Sequence, residues 1–332
     1  MKATQIVLAS RPKALPTADV FRYEEIELPN LKDGEVLVSP QYISVDPYMR
    51  GRMNDIESYQ PPFQLDAPIK GGVIGRIKES KSEQFKAGDT VVGTLSWATQ
   101  CVQMASNLRK IDSGAIPASY YLGILGIPGL TAYFGLQDIG KPKPGETVVI
   151  SGAAGAVGIV VGQIGKIKGC RVVGIAGSDE KVNMLKDEFG FDEVINYKTA
   201  GRNLFDAIQA ACPNKIDVYF DNVGGEITDT IMMHINFKAR IVICGQIALY
   251  NTQFTRGLRF LLMVLTRSAL IQGFIVNEYA DRFPEGIQQL TTWVKEGKIH
   301  FKETVVKGFD KLPEAFLGLF SGQNMGKMLV EV

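Results

Sequence analysis

The sequence predicts an α/β fold in which a doubly wound parallel sheet is joined to a second domain rich in β-strands. After Pro128-Gly129, short apolar segments alternate with helical segments at the spacing of parallel β-α-β units. Residues 5–107 instead show short alternating segments broken by Pro, Gly and Asp, which is typical of a compact β-rich domain. A chain of 332 residues is long enough for both domains.

Apolar segments rich in β-branched residues predict the strands of the parallel sheet, which together make a Rossmann sheet. The predicted strands are residues 147–151, 171–175, 193–195, 216–220, 240–244 and 270–274. Helices are predicted between them because these segments can place apolar residues on one helical face. The predicted helices are residues 156–168, 180–189, 204–211 and 226–233.

The end of the chain is β-rich again. A helix predicted at residues 284–297 is followed by alternating segments at residues 302–307 and 327–332. This pattern predicts that the last segment returns to complete the β-rich domain, with the Rossmann domain inserted between its two parts. The predicted boundaries are residues 1–125, 126–298 and 299–332.

The composition predicts a soluble globular protein without a general attraction for nucleic acid or membrane. Hydrophobic residues make up 45% of the chain and charged residues 21%, and 36 Lys and Arg balance 35 Asp and Glu. The N-terminus lacks the apolar core of a secretion signal, and the apolar run at residues 260–265 is too short to cross a bilayer, so we expect it to cover a core or pocket. Four widely spaced cysteines suit reduced thiols, which predicts a cytoplasmic location.

A glycine-rich turn follows the first strand of the predicted Rossmann sheet. Residues 148–158 read VVISGAAGAVG, an apolar strand that runs into Gly152, Gly155 and Gly158 and then into a helix. Ala153 stands where the usual dinucleotide fingerprint has its first glycine, so the motif alone also fits a strand and helix packed for close approach. Its place between the first strand and the first helix favours a site for a dinucleotide pyrophosphate, held by amide groups at the helix N-terminus.

The end of the second predicted strand favours NADP(H) over NAD(H). NAD-selective folds place an acidic residue there, where it accepts hydrogen bonds from the adenosine ribose. Here the strand runs into Gly177-Ser178, and Asp179 falls just beyond it as a helix-cap candidate. Lys181 can supply positive charge to a 2′-phosphate, with Tyr197 and Lys198 from the loop after the third strand. The alternative is that Lys181 is an ordinary solvated helix lysine.

Catalytic motifs that are absent from the sequence narrow the class of reaction that the protein can catalyse. The two histidines, His234 and His300, have no cysteine or carboxylate pair close in sequence, so no catalytic zinc is expected, and no Tyr-x-x-x-Lys pair occurs. A hydride enzyme of this kind suits an α,β-unsaturated carbonyl, because hydrogen-bond donors alone can stabilise the resulting enolate. Tyr250, after the fifth strand, and Tyr48, in the β-rich domain, are the candidate donors. The alternative for each tyrosine is a packed or interfacial aromatic.

Several motifs, in the same order along the chain, resemble those of the zinc-independent medium-chain reductases. They are residues 45–50 (VDPYMR), 128–135 (PGLTAYFG), the glycine-rich turn, 221–225 (DNVGG) and 322–327 (GQNMGK). The likeness is strongest to the prostaglandin reductase group, also called leukotriene B4 12-hydroxydehydrogenase, and its bacterial relatives. It extends from near Gln5 to Val330. This resemblance implies a GroES-like catalytic domain around the Rossmann domain, NADPH-dependent reduction of alkenals and enones, and a homodimer.

The resemblance also implies roles for individual residues. The implied cofactor-binding residues are Gly155, Ala156, Val157 and Gly158 at the pyrophosphate, Gly177, Ser178, Lys181 and Tyr197 toward the 2′-phosphate, and Asn222, Cys244, Gly245, Gln246, Ile247, Phe274, Ile275, Val276 and Asn324 along the remainder. Tyr250 would hold the nicotinamide ribose and help to polarise the substrate carbonyl. Tyr48 would border the substrate pocket.

The chain departs from the mammalian members of that group after Tyr250. They carry a proline-rich loop there, whereas residues 251–268 of this chain contain no proline. Prostaglandin or leukotriene specificity is therefore not expected to transfer. Phe254, Leu258 and Leu262 have helical spacing, which fits a substrate lid or a segment packed for stability alone. The alternatives to an enone reductase are an NADPH:quinone reductase and a non-catalytic NADPH-binding sensor or structural protein.

Overall fold

The computed structural model describes residues 1–112, 114, 116–252, 257 and 259–332. These residues form two compact units. The first unit contains residues 1–123, 303–324 and 328–332, and the second contains residues 124–302 and 325–327. The chain therefore builds most of the first unit, then the second, and returns to the first at its end.

Strands predominate in the first third of the chain, and strands and helices alternate after it. The strands are β1 (Lys2–Leu8), β2 (Phe21–Glu27), β3 (Glu35–Ser44), β4 (Lys70–Ser80), β5 (Thr90–Ser96), β6 (Cys101–Met104), β7 (Leu108–Lys110), β8 (Thr147–Ser151), β9 (Arg171–Ala176), β10 (Glu193–Asn196), β11 (Ile216–Asp221), β12 (Ile235–Ile243), β13 (Leu270–Gly273), β14 (Glu303–Lys307) and β15 (Lys327–Glu331). The α-helices are α1 (Tyr48–Arg52), α2 (Ile127–Phe134), α3 (Ala156–Ile167), α4 (Asp179–Asp187), α5 (Tyr197–Ala200), α6 (Leu204–Ala211), α7 (Gly225–Ile231), α8 (Leu261–Arg267), α9 (Phe283–Lys295) and α10 (Leu312–Ser321).

The first unit is built mainly from antiparallel β-structure. Over its described residues, one sheet has the order β14-β15-β3-β4-β5-β7, β6 also pairs with β3, and β1 pairs with β2. Apolar side chains of these strands and of α10 share one core. Phe21, Trp97 and Phe316 pack there with ring centroids 6.1 to 6.3 Å apart. The return segment of the chain therefore contributes both a strand and a helix to this core.

The second unit contains a doubly wound parallel sheet. Within the part of the chain that the structure describes, its strand order is β10-β9-β8-β11-β12-β13, and every pairing is parallel. All residues of β8 are buried, as expected for a strand covered on both faces. The direction of winding reverses between β8 and β11. Sheets of this kind bind ligands at such a point, beyond the carboxyl ends of the strands.

The structure confirms the predicted fold class and most of the predicted elements. The bounds of β8 and α6 coincide with the prediction, and α3 ends one residue earlier than predicted. β12 begins at Ile235, five residues before the predicted strand. The prediction missed this part because the polar residues Asn236 and Lys238 interrupt the apolar pattern. None of the described helices combines the length and the apolar character needed to span a membrane.

The apolar run at residues 260–265, which is expected from its sequence to cover a core or pocket, covers the core of the second unit with one face only. Phe260, Met263 and Val264 pack against that core. Leu261, Leu262 and Leu265 are 74%, 61% and 76% exposed. The run forms most of the short helix α8, and a helix that lies on a sheet can turn only one face toward it. Phe254 and Leu258, the other residues of the predicted lid pattern, lie outside the described residues.

Candidate active site

The glycine-rich turn connects β8 to α3. Gly155 is the residue before the first turn of α3, and its carbonyl accepts the first helical hydrogen bond, from Ile159, at 3.1 Å. The N–H groups of Ala156, Val157 and Gly158 follow in the first turn, where an α-helix has no acceptors of its own for them. These amides, together with the helix dipole, form a site suited to a phosphate or pyrophosphate.

Close approach of the turn to the helix requires glycine at position 158. A Cβ built on Gly158 would lie 2.5 Å from the Gly152 carbonyl oxygen and 2.7 Å from the Ala153 Cα. Any side chain there would push the helix start away from the turn. Ala153 itself is fully buried, so the alanine in the first fingerprint position is accommodated by the turn.

A second segment of the same unit, residues 325–327, is hydrogen-bonded to the glycine-rich turn. The Gly326 N–H donates to the Ala154 carbonyl at 2.8 Å, and Gly326 forms a parallel bridge with Gly155. The predicted residue Asn324 lies two positions earlier and belongs to the first unit. The GQNMGK motif therefore contributes one of its residues directly to the glycine-rich turn.

A cluster of cations and hydroxyls lies after β9. Ser178 is the N-cap residue of α4, and its Oγ accepts from the Lys181 N–H at 3.3 Å. A Cβ on Gly177 would lie 2.9 Å from the Tyr197 ring and 3.3 Å from the Lys198 Cε. The side chains of Tyr197 and Lys198 therefore border the end of the strand, as the sequence predicts.

The Lys181 ammonium lies in an environment that suits an anion. Burial, and then the nearby Lys198 ammonium, lowers the pKa of Lys181. Like charges held close together favour a bound counter-charge such as a phosphate. The Asp179 carboxylate accepts from the Asn196 amide at 2.7 Å. This environment differs from that of an ordinary solvated helix lysine.

The loops after β8, β11 and β12 meet beside the glycine-rich turn. The Asn222 amide donates to the Ser151 carbonyl at 2.8 Å, and the Asn222 N–H donates to the Ser151 hydroxyl at 3.0 Å. The Gln246 amide donates to the Asp221 carboxylate at 2.8 Å. The Cys244 N–H donates to the Asp221 carbonyl at 2.9 Å, and burial, followed by the Asp221 charge, raises the pKa of its thiol to about 12. This thiol therefore stays protonated near neutral pH and is not an activated nucleophile.

Tyr250 lies at the end of the short turn that follows β12. Its hydroxyl accepts from the Gln246 N–H at 3.3 Å and would lie 3.4 Å from a Cβ on Gly245. Burial raises the pKa of Tyr250, so the hydroxyl keeps its proton near neutral pH. Because the oxygen accepts from Gln246, its own hydrogen can be donated to another group.

The segment after β13 has a packing role in part. The Phe274 ring lies over Gly135, where a Cβ would come within 2.6 Å of it, and makes an edge contact with Tyr279. The Ile275 N–H donates to the Glu278 carboxylate at 3.4 Å. Ile275 and Val276 then begin the turn that leads to α9. Phe274 therefore packs between Gly135 and Tyr279, and its contact with the cofactor stays a prediction.

Tyr48 is the first residue of α1 in the first unit. It packs against the core of that unit, and burial, followed by the charge of Asp46, raises its pKa. Arg50 in the same motif is buried and donates to the carbonyl of Ala14 at 2.9 Å and to Asn54 at 2.7 Å. The VDPYMR motif thus holds a neutral tyrosine on a short helix that is tied to the N-terminal segment.

The histidines take part in packing. The His234 ring contacts the Phe205 ring in a tilted arrangement with ring centroids 4.2 Å apart, and the backbone of His300 pairs with the Gln163 amide. Among the residues that the structure describes, no group of three or more His, Cys, Asp or Glu side chains is placed to hold a metal ion.

One functional candidate was missed in the sequence. Asp221 ends β11, is fully buried, and accepts hydrogen bonds from Ser151 at the end of β8 and from the loops after β11 and β12. Its signal is a carboxylate directly after the apolar residues Val218, Tyr219 and Phe220. A buried charge in that position needs partners, and their identity depends on loops that are distant in sequence.

The comparisons with known proteins agree with this geometry. Family models described as the N-terminal domain of oxidoreductase and as zinc-binding dehydrogenase match residues 4–111 and 156–292. A Bacillus subtilis (strain 168) protein provisionally named an NADP-dependent oxidoreductase is 56% identical, over 99% of this chain and 97% of its own. NADPH-dependent curcumin reductase of Escherichia coli (strain K12) is 41% identical, over 98% and 96%. The NADP(+)-dependent 2-alkenal reductase of Nicotiana tabacum is 42% identical, over 90% and 87%.

A solved structure extends the likeness to three dimensions. CurA from Vibrio vulnificus, in complex with NADPH, superposes with a TM-score of 0.93 at 42% identity, over 99% of each chain. A Rossmann sheet inserted into a β-rich unit, with a glycine-rich turn at its first strand, defines a medium-chain dehydrogenase/reductase. Given these relatives, the chain belongs to the zinc-independent group of that family.

Proposed function

We propose that this protein uses NADPH to reduce the carbon-carbon double bond of α,β-unsaturated aldehydes and ketones. The observation that carries the proposal is the half-buried, neutral Tyr250, whose hydroxyl oxygen accepts from the Gln246 N–H and whose hydrogen can be donated. It stands at the carboxyl edge of a Rossmann sheet whose first strand leads into the glycine-rich turn. Relatives named a 2-alkenal reductase and a curcumin reductase support this substrate class.

The residues of the second unit fit NADP(H). The amides of Ala156, Val157 and Gly158 would hold the pyrophosphate, and Lys181 with Tyr197 would hold the 2′-phosphate beside Gly177 and Ser178. Relatives that are named NADP-dependent, and the NADPH complex of a similar structure, support the same cofactor. The other residues proposed to line the cofactor are Asn222, Cys244, Gly245, Gln246, Ile247, Phe274, Ile275, Val276 and Asn324.

The chemistry divides between the cofactor and the protein. Bound NADPH supplies a hydride to the β-carbon of the substrate. The Tyr250 hydroxyl donates a hydrogen bond to the carbonyl oxygen, where negative charge develops as the double bond is reduced. Because burial raises the pKa of Tyr250, the hydroxyl stabilises this charge as a donor, and water protonates the α-carbon. Tyr48 borders the substrate pocket in this proposal.

Product analysis tests the proposal against its alternatives. The protein is incubated with NADPH and a panel of alkenals, enones and quinones, and the products are identified by mass spectrometry and NMR. We expect saturated aldehydes and ketones. A hydroquinone as the only product would instead identify a quinone reductase, and tight NADPH binding without turnover would identify a sensor or structural protein.

We also propose that the protein forms a homodimer through the edge of its parallel sheet. β13 is the edge strand, and the adjoining helix α8 exposes the side chains of Leu261, Leu262 and Leu265. Exposed apolar side chains beside a sheet edge are a surface that another copy of the chain can cover. Light scattering should report twice the mass of one chain, and Leu265→Glu should lower it. A wild-type mass of one chain would contradict the dimer.

A further inference from the structure

The Asp221 carboxylate is the most densely hydrogen-bonded polar group of the candidate active site. It is fully buried at the end of β11. Among the described residues, six donors reach it at 2.8 to 2.9 Å: Ser151 Oγ, Tyr219 Oη, Val223 N, Gly224 N, Thr228 Oγ1 and Gln246 Nε2. An ionised carboxylate, which only accepts hydrogen bonds, fits such a set of donors.

Four of these donors come from the carboxyl ends of three neighbouring strands or from the segments that follow them. Ser151 ends β8, Val223 and Gly224 follow β11, and Gln246 follows β12. The backbone carbonyl of Asp221 also accepts from Cys244 at 2.9 Å and from Gly245 at 3.0 Å. One residue therefore joins the segments that flank the point where the winding of the sheet reverses. Hydrogen bonds to a charged acceptor are stronger than those between neutral groups.

We propose that Asp221 is a positioning residue that holds the Gln246–Tyr250 turn in the geometry needed for cofactor binding and for donation by Tyr250. The inference rests on the proposed function for its consequence in catalysis. The link has two steps: the Gln246 side chain is bound to Oδ2 of Asp221, and the Gln246 N–H is bound to the Tyr250 hydroxyl. Asp221 itself acts on the reaction only through these neighbours.

A glycine in the adjoining loop makes room for this link. Gly224 has a φ of +74°, and a Cβ there would lie 2.2 Å from the Gln246 Oε1. Glycine alone tolerates both the backbone conformation and the close approach. The DNVGG motif thus supplies the carboxylate, two of its N–H donors and the space that Gln246 occupies.

The Asp221 carboxylate cannot be replaced by an amide without loss. In Asp221→Asn the side chain would keep one acceptor oxygen, and its new NH₂ group would face donors on the other side. The same strand offers a matched control at its opposite end. Asp217 lies near the amino end of β11, where it accepts from the Thr147 N–H at 2.8 Å and from the Asn236 amide at 2.8 Å. Asp217→Asn therefore makes the same chemical change in the same strand.

Hydrogen exchange of the cofactor-free protein tests the link independently of its activity. In Asp221→Asn and in Gln246→Met, we expect the amides of residues 244–252 to exchange roughly tenfold faster, since each variant removes a hydrogen bond to a charged group. Asp217→Asn should leave this segment unchanged, and residues 171–176 of β9 should be unchanged in every variant. Unchanged exchange of residues 244–252 in Gln246→Met would overturn the inference even if Asp221→Asn does not fold.

NADPH binding then tests the functional consequence. We expect Asp221→Asn and Gln246→Met each to weaken NADPH binding roughly tenfold, with less than additive losses in the double variant because both break one link. The Kd of Asp217→Asn should match that of the wild type. Fully additive losses would overturn the inference. A wild-type protein that fails to bind NADPH would refute the proposed function, while the exchange measurement would still decide whether Asp221 positions the turn.

Discussion

Two side chains, Lys181 and Tyr250, have the most specific roles proposed for single residues. Lys181 provides charge where the 2′-phosphate would lie, and Tyr250 provides a hydroxyl where the substrate carbonyl would lie. Burial acts on both, but in opposite senses: it lowers the pKa of the lysine and raises that of the tyrosine. A change of pH or a substitution at either residue should therefore have a larger effect than the same change at an exposed side chain.

Lys181→Ala should weaken NADPH binding much more than NADH binding. The variant removes a charged partner of the 2′-phosphate, which NADH lacks, and one such interaction is worth about 1.5 to 3 kcal/mol. Titration of cofactor fluorescence measures both dissociation constants. Lys186→Ala, an exposed lysine of the same helix α4, is the control and should change neither constant. Equal losses for NADPH and NADH would refute the phosphate assignment.

The preference for NADPH over NADH should decline at alkaline pH. Because burial and Lys198 lower the pKa of Lys181, this lysine loses its proton at a lower pH than an ordinary lysine. NADPH affinity is then greatest below that pKa and falls as pH rises through it. Lys181→Arg should flatten the profile, since arginine stays protonated. The ratio of the two Kd values, measured across the pH range, checks this; the same slope in both proteins would rule out Lys181 as the titrating group.

Tyr250→Phe should lower kcat for enones by roughly a hundredfold, the effect of removing one donor from a developing oxyanion. NADPH binding should change much less. Tyr279→Phe removes a hydroxyl from another tyrosine of the same unit, which stacks on Phe134, and should keep wild-type kcat. Steady-state kinetics on both variants tells whether Tyr250 donates a hydrogen bond in the reaction or only packs as an aromatic. An unaltered kcat in Tyr250→Phe would make Tyr250 a packed aromatic.

At the scale of elements, the predictable part is the one set by local pattern. β8, α3 and α6 have strong apolar patterns and clear ends, and their predicted bounds agree with the structure to within one residue. The early start of β12 was missed because the polar residues Asn236 and Lys238 interrupt the apolar pattern. The exposure of the α8 leucines was missed because composition does not tell which face of a helix is covered. Both errors concern tertiary context and not propensity.

Gln163 illustrates a contact between elements that the sequence does not reveal. It is buried in α3, and its side-chain amide pairs with both the N–H and the carbonyl of His300, at 2.7 and 2.8 Å. Gln163→Met should lower the free energy of unfolding by about 1 to 3 kcal/mol, since it leaves two backbone groups unpaired. Urea denaturation measures this. Gln288→Met, at an exposed position of α9, is the matched control. Equal decreases in the free energy of unfolding in the two variants would contradict the stabilising role of the Gln163–His300 hydrogen bonds.

At the scale of the whole molecule, the sequence predicts the class of fold and the cofactor better than it predicts the long-range hydrogen bonds within the candidate active site. The glycine-rich turn and the strand end at Gly177 are contiguous motifs, so their chemistry can be read directly. Asp221 gathers donors from residue 151 to residue 246, and no short motif contains that set. Long-range hydrogen bonds depend on strand order, which a single sequence indicates only in outline.

Isotope transfer tests the proposed reduction of the carbon-carbon double bond most directly. NADPH deuterated at the nicotinamide carbon that carries the transferred hydride is mixed with an alkenal or enone, and the product is examined by NMR. We predict a saturated carbonyl compound with deuterium on its β-carbon and a solvent proton on its α-carbon. Deuterium on the carbonyl carbon, or no consumption of NADPH with any alkenal, enone or quinone of a broad panel, would contradict the proposal.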